Sequence, residues 1–369
     1  MLKKALEYRI GGGGDGVTRY ILNNYERIDR EKVHMDFVTG ERDLSFCEEL
    51  IADGSKVYSL PASPFYHPIR YRREMKKLWE EKYDIVHCHM SYFLNTVLFR
   101  QAKKHGVKVI LHAHSTQPDI TDKRKRRIFT FLHRCCYRRA SRYGDAFAAC
   151  SAAAADWLFG NAVPKEKIQI FHNAIDTEKY IFDASVRTSV RKSLGLEDAF
   201  VVGHIGRFTY QKNHAFLLDA FSCLYKKHPD AVLLLIGVGD LEGEVRRQAA
   251  LLGIEDAVRF LGLRDDVPEL MQAMDVFALP SRFEGLGLVL IEAQAAGLRA
   301  VASTAVPPEA QVTELLTYLP LESGVQAWAE EIAKARDGYE RTNRRRQIME
   351  AGYDLSGQAA RVEQLYENL

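Results

Sequence analysis

The chain has 369 residues, 47% of them hydrophobic and 27% charged, which fits two domains and is enough apolar material for two cores. Cys47, Cys88, Cys135, Cys136, Cys150 and Cys223 show neither framework nor CxxC spacing, which argues against a disulfide scaffold or a zinc site, and the longest apolar runs are too short to span a bilayer. The net charge of +2 is unevenly placed: residues 1–184 hold 31 Lys and Arg against 23 Asp and Glu, a balance of +8, and the remainder holds 20 against 26, so the basic first half is expected to meet something anionic.

Strand-like and helix-like segments alternate throughout, the pattern of parallel sheets with crossover helices. In the first half, strands are expected near Ala5–Ile10, Val33–Thr39, Lys56–Leu60, Asp84–His89, Lys108–His114, Ala146–Ser151 and Ile168–His172. Helical periodicity covers Val17–Tyr25, Phe65–Lys82 and Phe93–His105. In the second half, strands are expected near Val201–Arg207, Ala231–Gly237, Val258–Leu261, Val276–Pro280, Ala300–Ser303 and Tyr318–Leu321. Asp176–Leu196 is polar, has no clean period and reads as a hinge. The chain is divided into a first domain over 1–180, a second over 181–353, and a last amphipathic segment, 354–369, with Val362, Leu365 and Tyr366 on one face. Two Rossmann-like domains with parallel sheets facing a central cleft would place the carboxyl ends of the strands, where ligands bind, at that cleft.

Pro280-Ser281-Arg282-Phe283-Glu284-Gly285-Leu286-Gly287-Leu288 follows an apolar strand and opens a helix that carries Glu292. Small residues let a ligand approach the backbone, and the helix start offers free N–H groups and a positive dipole end. Glu284 and Glu292 have seven residues between them, and Glu292 falls roughly 8–12 Å further along at 1.5 Å per residue. A nucleotide sugar, with a diphosphate between two hydroxyl-rich groups, fits that spacing. Arg207 and Lys212 come just after the strand Val201–Gly206. A diphosphate leaving group gains negative charge, and cations can stabilise it without a metal. No metal-ligand cluster is evident, so neither a metal nor another cofactor is expected. The plain alternative is a solvated Arg and Lys in an ordinary loop.

Taken together, these segments resemble the retaining glycosyltransferases of family 4, which have the α/β GT-B fold. The resemblance rests on Pro280–Ala293, on Gly206-Arg207 with Gln211-Lys212-Asn213, on Leu234–Asp240, on Val258–Gly262 and on Asn173–Asp176, which stand in the family's order and cover nearly the whole chain. The similarity leans toward exopolysaccharide and capsule enzymes. It implies a donor site of Gly206, Arg207, Lys212, Gly239, Arg264, Glu284, Gly285, Leu286, Gly287, Leu288 and Glu292, with Gly16 contributed by the first domain. Glu292 is expected on the ribose. Glu284 is expected beside the transferred sugar, as an anchor for its hydroxyls or a stabiliser of positive charge at the anomeric carbon. The family's first-domain histidine aligns with His114, giving His114, Glu284, Arg207 and Lys212 as the catalytic set. The last helix is expected to cross back onto the first domain. Arg299, Ala174 and His172 depart from the family's usual residues without removing any of these groups.

Three further features stand out in the first half. His87 and His89, then His112 and His114, repeat a His-x-His pattern on neighbouring strands, but no carboxylate or cysteine completes a metal site. Gly11–Gly16 is a weak glycine-loop signal, and the strand before it is more polar than a buried central strand. Lys123–Arg142 holds nine basic residues with interleaved aromatics, a composition suited to an anionic membrane surface or a lipid diphosphate, or else to a solvated helix face; no nucleic-acid motif accompanies it.

The reading is a cytoplasmic hexosyltransferase with a peripheral site for the inner face of the cell membrane. It would move sugar from a nucleotide donor, UDP-linked, to a glycan or lipid-linked acceptor with retention. The alternatives are a non-hydrolysing nucleotide-sugar epimerase, which needs proton-abstracting carboxylates that cannot be placed, and a catalytically silent scaffold, against which Arg207, Lys212, Glu284 and Glu292 argue.

Overall fold

The structure is a computed structural model that describes residues 2–11, 16–40, 46–61, 67–115 and 122–369. It divides into two units, Met1–Ala174 with Leu355–Leu369, and Ile175–Asp354. The crossings thus fall at 174/175 and 354/355 rather than at 180/181 and 353/354. Ile175 N donates to Tyr353 O, and Thr177 Oγ1 donates to Asp354, which ties this segment to the second unit. Nor is Asp176–Leu196 a bare hinge. It contains the helix Ala184–Leu194, capped by the Asp183 carboxylate and closed by Gly195 in the left-handed region. Its polarity has a packing cause: Arg187 and Arg191 both reach Asp275 within the same unit.

The described residues of the first unit form a parallel sheet of seven strands: β1 (Lys3–Ile10), β2 (Val33–Thr39), β3 (Val57–Ser59), β4 (Ile85–Met90), β5 (Lys108–Ala113), β6 (Ala146–Ala149) and β7 (Ile168–Ile170). Their spatial order is β3-β2-β1-β4-β5-β6-β7. The second unit has six: β8 (Phe200–Ile205), β9 (Ala231–Ile236), β10 (Val258–Gly262), β11 (Val276–Leu279), β12 (Arg299–Ser303) and β13 (Leu316–Leu319), ordered β10-β9-β8-β11-β12-β13. Each expected strand is present within a few residues. The sheets are parallel because crossover helices cover both faces, and so the central strands are apolar on both sides. β9 shows this, with Leu234 and Ile236 in one core cluster and Leu233 and Leu235 in the other.

β1 departs from that rule. Ala5 and Leu6 are fully buried on opposite faces, yet Glu7 is buried as well. On the Ala5 face, Ile85 and Ile110 of the neighbouring strands also pack in the core. Towards the carboxyl ends the same face turns polar, with Glu7, His87, His89 and His112 all buried. The helices Gly16–Tyr25 and Leu355–Glu367 supply Tyr20, Ile21, Val362, Leu365 and Tyr366 to this side of the core.

Candidate active site

Each sheet reverses its strand order at one point, between β1 and β4 in the first unit and between β8 and β11 in the second. Open α/β sheets bind ligands outside the carboxyl ends of the strands at such a point. The residues singled out from sequence can be placed against that topology.

In the second unit, the loops after β8 and β11 are joined to each other. Arg282 N donates to Gln211 O at 2.8 Å, and Asn213 Nδ2 donates to Pro280 O at 3.1 Å. Asn213 sits in the left-handed region (φ 58°) and opens the helix His214–Lys227. The side chains follow the backbone. Lys212 Nζ lies 2.7 Å from Glu284 Oε1, Ser281 Oγ donates to the same oxygen at 2.6 Å, and Gln211 Nε2 donates to Oε2 at 3.1 Å. Gly206 lies under the Lys212 stem, so that a Cβ there would come 3.0 Å from Lys212 carbons.

Two glycines are required by this geometry. A Cβ on Gly239, after β9, would come 2.6 Å from Phe208 O, so the loop after β8 can pack on that after β9 only with glycine there. Gly287 has φ 81° and precedes the helix Leu288–Ala295. Its approach, Gly285-Leu286, runs directly from Glu284. Glu292 lies one turn into this helix and is 8% exposed, while Leu290, Ile291, Ala293 and Ala295 around it belong to the core. Arg207 is exposed at the end of β8 and forms no ion pair with a described residue. Arg264 follows β10, two strands from β8 in the sheet, and its guanidinium is held bidentate by Asp266 at 2.7 and 2.6 Å.

In the first unit, a cavity of about 600 Å³ opens at the switch point, with Arg9, Gly11, Gly16, His89, His114 and Asn173 in its lining. Gly16 and His114 are therefore brought together in the lining of this first-unit cavity. Gly12–Asp15 of the glycine loop lie outside the described residues.

The histidine pattern changes its meaning in three dimensions. His87, His89 and His112 offer ring nitrogens within 4.8 Å of one another, the one such group among the described residues. A carboxylate does lie beside it, with Glu7 Oε2 2.7 Å from His89 Nε2. Register explains the meeting, because Glu7 pairs with His87 and His89 with His112 across neighbouring strands. Most of the nitrogens already face hydrogen-bond partners: His87 Nε2 is 3.0 Å from His112 Nδ1, and His89 Nδ1 is 2.8 Å from His114 Nε2. Burial pushes His87 and His89 down to about 3, and His112 and His114 well below the usual histidine range. Burial thus favours the neutral imidazole at all four.

The chain matches two family descriptions, "Glycosyl transferases group 1" over residues 186–354 and "Glycosyltransferase Family 4" over residues 14–179. It is 30% identical over 340 residues to the putative glycosyltransferase EpsF of Bacillus subtilis, covering 90% of this chain and 88% of that one. The chain belongs to the family 4 glycosyltransferases. An Escherichia coli relative, a UDP-Gal:alpha-D-GlcNAc-diphosphoundecaprenol alpha-1,3-galactosyltransferase, is 26% identical over 78% of this chain and 76% of its own. Among solved structures, HepE from Anabaena in complex with UDP superposes with a TM-score of 0.77 at 20% identity, over all of both chains. The fold of this glycosyltransferase is GT-B, with Rossmann-like sheets of seven and six strands. Within the donor-motif set, the structure joins Gly206, Lys212, Glu284 and Gly287 and leaves Arg264 to its own ion pair. Sequence reasoning missed Ser281, Glu7 and Tyr366. Glu7 carried a signal, a carboxylate at the same alternating position of its strand as the two His-x-His pairs.

Proposed function

We propose that this glycosyltransferase moves a hexose-type sugar from a UDP-linked donor to a lipid-linked glycan acceptor, with retention, in the assembly of a surface polysaccharide. The observation that carries the donor half is the Gln211–Lys212–Glu284 contact at the joined ends of β8 and β11, beside the Gly287 helix start. Arg207, Lys212 and the free N–H groups at Leu288 would hold the diphosphate without a metal and take up the charge that develops on it as the glycosidic bond breaks. Glu292 would accept from the ribose hydroxyls and Glu284 from those of the sugar. The complexes of HepE with UDP and with UDP-glucose support the choice of nucleotide.

The acceptor half draws on the first unit. Arg9 at the mouth of its cavity suits a phosphate, and the E. coli relative is named for a diphosphoundecaprenol acceptor. The basic segment forms the helix Lys123–Ser141. Ile128, Phe131 and Leu132 are exposed on it at 62%, 66% and 46%. Their spacing puts them on one stripe, flanked by Arg127, Arg134 and Arg138 on one side and by Lys125 on the other, with Arg139 two turns beyond Leu132 along it. An apolar stripe between rows of cations suits the headgroup region of an anionic leaflet. No helix among the described residues is long and apolar enough to cross a membrane.

A thermal-shift panel of UDP, GDP, ADP and their sugars tests the donor assignment, since a specific ligand stabilises the folded state by mass action. UDP and UDP-hexoses should raise Tm more than the other nucleotides; equal shifts for all three bases would reject the UDP assignment.

A further inference from the structure

Ser91 and Tyr92, just after β4, line the first unit's cavity. The backbone on either side of Tyr92 is held by two helices, Lys123–Ser141 and Ala152–Phe159. Trp157 Nε1 donates to Ser91 O at 2.7 Å, and Phe93 N donates to His133 Nδ1 at 3.0 Å. The circuit closes on itself. With Nδ1 accepting, the neutral ring of His133 carries its proton on Nε2, which donates to Trp157 O at 2.9 Å. His133 is fully buried, and its ring packs on that of Trp157 with centroids 4.6 Å apart. A buried polar circuit with every member satisfied holds one arrangement of the wall.

Between these two anchors, the Tyr92 ring meets Phe129 of the basic helix at 86°, with centroids 4.7 Å apart. Phe129 stands one residue after Ile128 and three before Leu132, so it adjoins the exposed apolar stripe of that helix. The surface therefore changes character across Tyr92. On the cavity side are Arg9 and two hydroxyls; Ser115 Oγ donates to Ser91 Oγ at 3.0 Å, which leaves the Ser91 proton for a ligand oxygen. On the helix side are Phe129, Leu132 and Ile128. A ligand with an anionic head and a hydrocarbon chain matches this order, because each part meets surface of its own kind.

We infer that Tyr92 is a specificity-determining residue, seating the first hydrocarbon units of a lipid-linked diphosphate where they leave the cavity for the helix Lys123–Ser141, and that His133 is the positioning residue that fixes Tyr92 there. The choice of a lipid-linked diphosphate rests on the acceptor reading given above.

Two acceptors with the same hexosyl diphosphate head, one on a methyl group and one on a geranyl chain, separate chain from head. The parent should show a KM lower by about tenfold or more for the geranyl acceptor, at similar kcat. Tyr92→Ala and Phe129→Ala should bring the two KM values together with UDP affinity kept, and Tyr92→Phe should retain the preference. Two amides read the clamp. His133→Asn keeps an acceptor near the Nδ1 position for Phe93 N and should keep the preference. His133→Gln places its amide near the Nε2 position, removes the acceptor of Phe93 N and should lose the preference. A histidine that only filled space would respond alike to both. Hydrogen exchange of the Phe93 amide, which needs no transfer, should quicken about tenfold or more in His133→Gln and stay slow in His133→Asn. Equal affinity of the parent for the two acceptors, a preference unchanged in Tyr92→Ala, or Phe93 exchange alike in both His133 variants would overturn the inference. Calorimetric binding that favours the geranyl acceptor and loses that preference in Tyr92→Ala, with no transfer from any UDP-sugar, would instead count against the proposed reaction alone.

Discussion

Lys212 Nζ lies 2.7 Å from Glu284 Oε1, and the two side chains are only 16% and 7% exposed. The pair joins the loop after β8 to the loop after β11, across the switch point of the second sheet. A cation held this way is already in place before a donor binds, which reduces the ordering cost of binding. The carboxylate keeps spare acceptor capacity for a sugar hydroxyl.

The pair should show itself first in stability. Lys212→Ala leaves a mostly buried carboxylate without its cation, at an expected cost on the order of 2–4 kcal/mol. Lys212→Ala with Glu284→Gln should recover part of that loss, because no lone charge remains. Urea unfolding followed by probes in the second unit measures both. A double variant less stable than the sum of the singles would contradict a favourable pairing.

Binding divides the two carboxylates. Glu292→Ala should weaken UDP and UDP-sugar alike, by about tenfold for a lost charge-assisted hydrogen bond. Glu284→Ala should lower kcat more than UDP affinity. Calorimetry with UDP, paired with turnover, separates these outcomes; unchanged UDP affinity in Glu292→Ala would remove the ribose assignment.

Membrane recruitment should depend on the helix Lys123–Ser141. Each Lys or Arg near an anionic leaflet contributes about 1 kcal/mol, screened by salt. Replacing Arg124, Lys125, Arg126 and Arg127 with serine should abolish pelleting with phosphatidylglycerol vesicles at low salt. Phe131→Ser should weaken it, and turnover of a soluble acceptor analogue should be nearly unchanged in both. Equal pelleting of parent and variants would mark the helix as an ordinary charged surface.

The histidine cluster gives the first unit an acid-sensitive core. His87 and His89 are pushed down to about 3 by burial, below the unfolded value near 6.5. Between those values the unfolded chain binds more protons than the folded one, so stability rises with pH across that window. It should be fully present above about pH 6.5 and fall as pH is lowered towards 3. Hydrogen exchange of β4 and β5 amides at pH 7, 5.5 and 4.5 should show this loss, and His87→Asn should flatten it. Protection independent of pH would contradict neutral buried imidazoles.

Much of the fold was legible because alternating strand and helix patterns mark a parallel α/β protein, and the apolar strands lie within a few residues of their expected places. The candidate contact of Lys212 with Glu284 was legible for the same reason: the two residues follow strand ends, β8 and β11, that are neighbours in the sheet. Two kinds of feature were not. The helix inside Asp176–Leu196 was not legible because the face it packs carries cations: Arg187 and Arg191, four residues apart, both reach Asp275, a partner some eighty residues away in the chain. The Glu7 network was hidden because it joins β1, β4, β5 and the last helix, and only register brings Glu7 beside His87. The polar first strand looked anomalous in isolation. Its carboxylate is placed for two donors that no local pattern announces.

Calorimetric titration of UDP into the full chain in EDTA, for the parent, Arg207→Ala and Lys212→Ala, tests most directly whether these strand ends form a metal-independent donor site. The expected result is saturable one-to-one binding by the parent without divalent ions, weakened about tenfold or more in each variant. Binding that appears only when a divalent ion is restored, or parent-like affinity in both variants, would contradict it.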